Sequence, residues 1–271
     1  PYTTLFRSLT DLFGDDNIKG KQGNDAINLG SGIDLGIGGS GDDFLVKAGG
    51  DGTFFAGLGD DVVLGTQGGR MIVFGGEHND WVEGSSHADL LQGDNADQAQ
   101  NDTLGGNDVV IGRLGNDDIE GEGGDDIIVG EAFGTDRHLG NLGFDWLTYY
   151  GQTTGVTSDW AFNRVFETQN QLASRYDLLE ALSGGAGDDT LRGPLVEPDD
   201  FTTVSEAPLN KATQASLDLV DGFQEMLQPV VDGVAIGDFT LPIMRDAPEI
   251  DADGVLKIMI GGPGSDIVEG R

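Results

Sequence analysis

Aspartate is the residue type through which this chain can do chemistry. Asp16, Asp25, Asp34, Asp43, Asp61, Asp80, Asp89, Asp108, Asp117, Asp126, Asp145, Asp189 and Asp266 all sit close behind a glycine and, with one exception, two residues before an apolar side chain. A carboxylate offers hard anionic oxygens, and Ca²⁺ takes six to eight oxygen ligands at roughly 2.3–2.6 Å. Glycines around such a carboxylate allow positive φ, so the backbone can turn tightly and point carbonyl oxygens inward to complete a cage. The expected cofactor is Ca²⁺, bound several times, with these thirteen aspartates as ligands.

The spacing that places them is a nine-residue period. Written G-G-x-G-x-D-x-U-x, with U apolar, the pattern is met throughout by residues 38–46. Windows starting at Asp11, Gly20, Gly38, Ala56, Thr103, Gly112, Gly121, Gly140, Gly184 and Gly261 carry Gly, Asp and an apolar residue at the fourth, sixth and eighth places. The x-U-x triplet is a minimal strand in which U alone faces inward. Two nonapeptides then make one coil of 18 residues, and coils stack at about 4.7–4.9 Å. The predicted fold is all-β, a parallel β-roll or β-helix of these repeats, with an irregular insertion containing one helix. Its predicted core is Ile18, Ile27, Leu45, Phe54, Val63, Ile72, Val82, Leu91, Val110, Ile119, Ile128 and Leu147, with a thin spot at Gly36. So narrow a core offsets ordering entropy poorly. Bound cations must supply the difference.

Residues 18 apart share an edge of such a roll. One edge reads Asp25, Asp43, Asp61 and, after one extra residue near Phe74, Asp80. The other reads Asp16, Asp34, then Gly52 and Arg70, then Asp89. Arg70 is either a built-in cation that replaces a missing ion, as a guanidinium can, or the mark of a decayed repeat. His78 and His87 take the fourth place, where a residue tolerant of the left-handed region is needed, and are read as turn residues.

Composition narrows the function. The 271 residues hold 14 basic and 48 acidic side chains, a formal net charge of −34, with 46 glycines, three histidines and no cysteine. Disulfides and thiolate metal sites are excluded. So acidic a chain repels nucleic acid and anionic lipid, and no apolar run approaches the roughly 18–20 residues of a membrane span. A disordered Gly/Asp tract is the competing reading, but disorder has no use for a nine-residue apolar period. No His-Glu-x-x-His, Gly-x-Ser-x-Gly or phosphate-binding loop is present, so no enzymatic activity is expected.

The chain divides by composition. Residues 1–8 look like a translated sequencing adaptor; 9–148 form the roll, with a polar loop at 93–107 where the period breaks. An interrupted segment at 149–183 is predicted to carry short strands near 155–165 and 177–182, followed by an isolated repeat at 184–192. An insertion at 193–260 holds a helix over about 212–228, stopped by Pro229, and ends in a strand at 256–260; residues 261–271 start a further, truncated block. Residues 249–254 resemble the start of an EF-hand loop, but Ile260 stands where a bidentate Glu is required.

The nonapeptides resemble those of the secreted RTX family, over residues 11–148 with outlying repeats at 184–192 and 261–269. That resemblance implies calcium between the turns of neighbouring coils on each side of a parallel β-roll. The stretches 134–148, 175–184, 189–193 and 261–271 look like the RTX region of large bacterial proteins that carry an animal-type haem peroxidase domain; none of the catalytic residues of that domain has a counterpart here. The implied function is a calcium-binding module that folds outside the cell, in a larger protein exported by type I secretion with its signal beyond Arg271. Its partners would be calcium ions and other domains of the parent chain. A structural or adhesive segment of an RTX surface protein is the alternative.

Overall fold

The structure is a computed structural model and describes residues 6–65, 68–95, 105–131, 134–143, 145–159, 164–167, 173–179, 181–192, 258–260, 265 and 267–269. Outside residues 156–177, strands alternate between two sheets, so each pair of successive strands there is one coil. The first sheet runs β1 (Arg7–Phe13), β3 (Asp25–Ser31), β5 (Phe44–Lys47), β7 (Val62–Gly65), β9 (Trp81–Glu83), β11 (Val109–Ile111), β13 (Ile127–Val129), β15 (Trp146–Thr148), β19 (Ala181–Ser183) and β21 (Ile258–Ile260). The second holds β2 (Asn17–Gln22), β4 (Asp34–Ser40), β6 (Gly52–Leu58), β8 (Met71–Glu77), β10 (Leu90–Gln92), β12 (Asp118–Gly123) and β14 (Arg137–Leu142). Beyond β14 it continues with β18 (Ala173–Asp177), β17 (Arg164–Glu167), β16 (Val156–Asp159), β20 (Thr190–Arg192) and β22 (Ile267–Glu269). This is the parallel β-solenoid that the period predicts.

Inward side chains from both sheets make one core. Ile27, Leu45, Phe54, Val63, Val82, Leu91, Val110, Ile119, Ile128 and Leu147 are all buried as expected, and Ile18 packs on them half-buried. Ile72 is a correction. Strand β8 buries Met71 and Val73 and turns Ile72 outward, with Val73 paired to Phe54 and Leu91. Pairing steps by 18 residues from β4 to β6 but by 19 from β6 to β8 and from β7 to β9. The extra residue therefore enters in the turn between β7 and β8, not near Phe74. A one-residue slip exchanges the two faces of a strand, and Phe74 consequently faces out, its ring stacked on Phe55 at 4.9 Å.

Arg7 and Ser8 lie within β1, paired to Asp25 and Ala26. The strands depart from the expectation at two further places. The interrupted segment folds into the antiparallel set β16–β17–β18, inserted into an otherwise parallel sheet. The single strand predicted near 177–182 is two strands, β18 and β19, in different sheets. Strand β21 covers the end of the strand predicted at 256–260, whereas the helix at 212–228 lies outside the described residues.

Gly36 leaves no thin spot either. A Cβ there would come within 2.9 Å of both Leu29 and Phe54, because Leu29, at a place where the pattern has glycine, reaches across to fill the gap. Restoring the pattern with Gly36→Ile should therefore overpack the core and destabilise by about 1–3 kcal/mol. The double change Leu29→Gly with Gly36→Ile should recover most of that loss. Thermal unfolding at saturating calcium, followed by circular dichroism, checks both.

Candidate metal centre

Each roll edge carries a row of aspartates, and their two oxygens do different work. On the first edge, Oδ1 of each aspartate accepts the backbone N–H of the aspartate one coil earlier. Asp25 donates to Asp43 at 2.7 Å, Asp43 to Asp61 at 2.6 Å and Asp61 to Asp80 at 2.8 Å. The row goes on from Asp80 to Asp108 at 2.7 Å, Asp108 to Asp126 at 2.8 Å and Asp126 to Asp145 at 3.0 Å. The step from Asp80 to Asp108 spans 28 residues, so the row continues across the break in the period at 93–107. On the second edge Asp16 donates to Asp34 at 2.9 Å, Asp89 to Asp117 at 2.9 Å and Asp117 to Asp136 at 2.8 Å. Asp189 receives the N–H of Val156 at 2.8 Å, apart from both runs. Asp266 lies outside the described residues.

The second oxygen is the one available for a ligand. At Asp25, Asp43, Asp61, Asp80, Asp108, Asp117 and Asp126 the Oδ2 atom is buried and has no hydrogen-bond partner. A buried acceptor left so is costly, and six in register on the first edge, with Asp117 on the second, call for a common partner. Carbonyl oxygens lie beside several of them. A Cβ on Gly20 would meet Gly38 O at 2.5 Å and Asp25 Oδ2 at 2.6 Å; on the other edge, one on Gly84 would meet Gly112 O at 2.6 Å and Asp89 Oδ2 at 2.8 Å. The first glycine of the repeat thus keeps open a space lined by a carboxylate and a carbonyl of the next coil. Among the described residues no three His, Asp or Glu side chains converge on one point, so a cation held here must draw on main-chain oxygens as well. That donor set suits a hard cation such as Ca²⁺.

Electrostatics make the same demand. Burial, with smaller contributions from neighbouring carboxylates, pushes Asp43 up to about 6 and Asp61 and Asp117 up to about 8. Asp80, Asp108 and Asp126 are raised for the same reasons. A shift as large as that of Asp61 corresponds to roughly 6 kcal/mol against the ionised form.

Two corrections concern the weaker edge. Arg70 does not take the ligand place: Met71 does, paired to Gly52 and donating its N–H to Asp89 Oδ1 at 2.7 Å. Arg70 is exposed, and its N–H goes to Asp51 at 3.0 Å. The slip of one residue in the preceding turn is the cause. His78 has φ 87°, a left-handed turn residue as expected, whereas His87 is not among the residues at positive φ.

Two site residues escaped the sequence pattern. Asp136 is buried in the second row, but its repeat carries His138 in place of the apolar U residue, which hid it. His138 lies in the core column between Ile119 and Tyr176, and burial pushes it down to about 4, so it is neutral there. Asp94 is fully buried, accepting from Gly106 N and Gly123 N at 2.9 Å each. Its charge adds to those that raise Asp80, Asp108 and Asp126. Asp94 falls outside the sixth-place phase, and only its bonds to Gly106 and Gly123 reveal it.

Comparison with protein families bears on this geometry. The model of the RTX calcium-binding nonapeptide repeat matches in four copies, at residues 12–45, 72–97, 102–134 and 180–193. The chain therefore carries repeats of a calcium-binding type, folded as a β-roll. The match skips residues 46–71, where the ligand row has Gly52 and Met71. A search of curated proteins finds no match.

Without calcium, the raised carboxylates set the pH response. Each has a folded pKa above its unfolded value, so folding takes up protons. Their contribution to stability is fully present below about pH 4 and lost as pH rises through about 8. Circular dichroism in calcium-free buffer should show more β-structure at pH 4.5 than at pH 8, on the order of several kcal/mol of stabilisation. Asp108→Asn should lessen that pH dependence and, having lost an anionic ligand, raise the calcium concentration needed to fold.

Proposed function

We propose that this chain is a calcium-loaded β-roll module of a larger secreted bacterial protein, unfolded at cytosolic calcium and folded by several ions outside the cell. The observation that carries the reading is the row of buried carboxylate oxygens without hydrogen-bond partners, with a main-chain carbonyl of the next coil facing the same space as those of Asp25, Asp43, Asp80 and Asp108. A charge of −34 supports it, because self-repulsion keeps an ion-free chain expanded. A ligand that binds only the folded state then shifts the equilibrium by mass action. An unfolded chain can be threaded through a secretion channel, and external calcium then makes folding one-directional. Extracellular location and type I export rest on the repeat type, which is typical of secreted proteins. The likeness of residues 134–148 and 175–184 to the RTX region of haem peroxidases supports such a protein as the parent; reading the gene beyond both ends tests that assignment. The module's own role is binding and folding, with no reaction of its own.

Calcium titration of the whole chain, read by circular dichroism and hydrodynamic radius, should show cooperative gain of β-structure and compaction. The midpoint should lie near 10⁻⁴ to 10⁻³ M, as for extracellular calcium modules. Asp43→Ala removes an anionic ligand from the middle of the first row, so its midpoint should rise and its transition become shallower. Full β-structure in excess chelator at pH 7.5 would overturn the proposal.

A further inference from the structure

Where the weaker edge lacks an aspartate, at Gly52, a buried cation stands instead. Lys47 ends β5 and takes the first place of the nonapeptide 47–55, where the pattern has glycine; Gly52 takes the sixth, where it has aspartate. The two departures fit one another in space. A Cβ on Gly52 would lie 3.0 Å from Lys47 Cδ and 3.2 Å from Lys47 Cε, so the lysine stem occupies the volume that an aspartate at 52 would need.

The ammonium is placed as a bound cation would be. Lys47 is 0% exposed, and its Nζ lies 2.7 Å from Asp34 Oδ2. It donates to Leu29 O at 3.2 Å, to Gly30 O at 3.1 Å and to Gly49 O. One carboxylate and three main-chain carbonyls surround it, drawn from two successive turns of one edge. These are the donor types that face the space beside Gly20 and Gly84 elsewhere. Burying an ammonium is costly unless it is paired and hydrogen-bonded, and here both conditions hold. Charge balance agrees. With Gly52 in place of an aspartate, this step keeps only the Asp34 carboxylate, which a single positive charge neutralises. The next step pairs Gly52 with Met71 and has no carboxylate at the ligand place, only the exposed Asp51 beside it, so it needs no buried counterion.

We propose that Lys47 is a tethered cation that replaces calcium at the Asp34–Gly52 step, so that this step closes without calcium and binds none at saturation. It follows that the coils around β4 to β6 are the part of the roll least dependent on the ion. The inference rests on the calcium-binding reading of the other steps.

Two variants of the full chain test it: Lys47→Met, which keeps the bulk and removes the charge, and the pair Lys47→Gly with Gly52→Asp, which restores the pattern. Bound calcium per chain is counted by equilibrium dialysis, and thermal unfolding is followed at saturating calcium. Lys47→Met should bind no additional ion and melt roughly 10 °C lower than wild type, since Asp34 loses its counterion. The pair should bind one more ion per chain and recover most of the lost melting temperature. A pair variant that gains no ion, or that does not fold at saturating calcium, overturns the proposal, as does Lys47→Met melting with wild type. If Lys47→Met does not fold, the ion count of the pair decides. A wild-type chain that binds no calcium would instead overturn the calcium reading itself, while the melting difference would still report on the buried ion pair.

Discussion

From Asp25 to Asp145 each coil adds an aspartate to the first edge, at a rise of about 4.8 Å, and the Oδ1 atom of each is tied to the backbone of the coil before it. That bond holds the coils in register and fixes each carboxylate where it meets its own kind. At such spacing two unit charges repel by about 3 kcal/mol for an effective dielectric near 20. The repulsion recurs along the row, and the narrow core between the sheets must work against it. Architecture and cation requirement are thus one constraint. The geometry that builds the roll also concentrates the charge that opens it.

Departures from the repeat are tolerated where a second departure answers the first. Leu29, at a glycine place, fills the volume that Gly36 vacates at a core place, and Lys47, at the equivalent place one coil later, fills the volume and the charge left by Gly52. In both cases the smaller residue sits in the second sheet and the larger reaches it from a first-sheet strand. The first place lies beside both core and ligand space, so a side chain there can turn to either. Which way it turns follows its chemistry: leucine joins the core, lysine the oxygens.

Changes in coil length are absorbed in the turns. The pairing step grows from 18 residues to 19 at β7–β9 and to 28 at β9–β11, while the hydrogen bond between consecutive aspartates stays near 2.7–2.8 Å. The strands on either side of each added length keep their partners. The break at 93–107 also returns something to the row, since Asp94 adds a buried carboxylate beside Asp80, Asp108 and Asp126.

From the sequence alone came the two-sheet parallel roll, its calcium chemistry, ten core residues and the aspartate ladder, because all follow from a nine-residue period that local backbone geometry enforces coil after coil. What the period could not supply were phase and partnership. Whether the extra residue enters before Met71 or near Phe74 makes no difference to composition, yet it decides that Val73 rather than Ile72 is core and that Met71 rather than Arg70 stands in the ligand row. Asp136 was hidden by the histidine two places on, and the antiparallel β16–β17–β18 set by a segment without a repeat. Lys47 reads in sequence as a lapse from glycine. Only when residues 29–34 and 47–52 stack does its ammonium meet Asp34 and three carbonyls, since those oxygens come from successive coils and no nine-residue window contains them together.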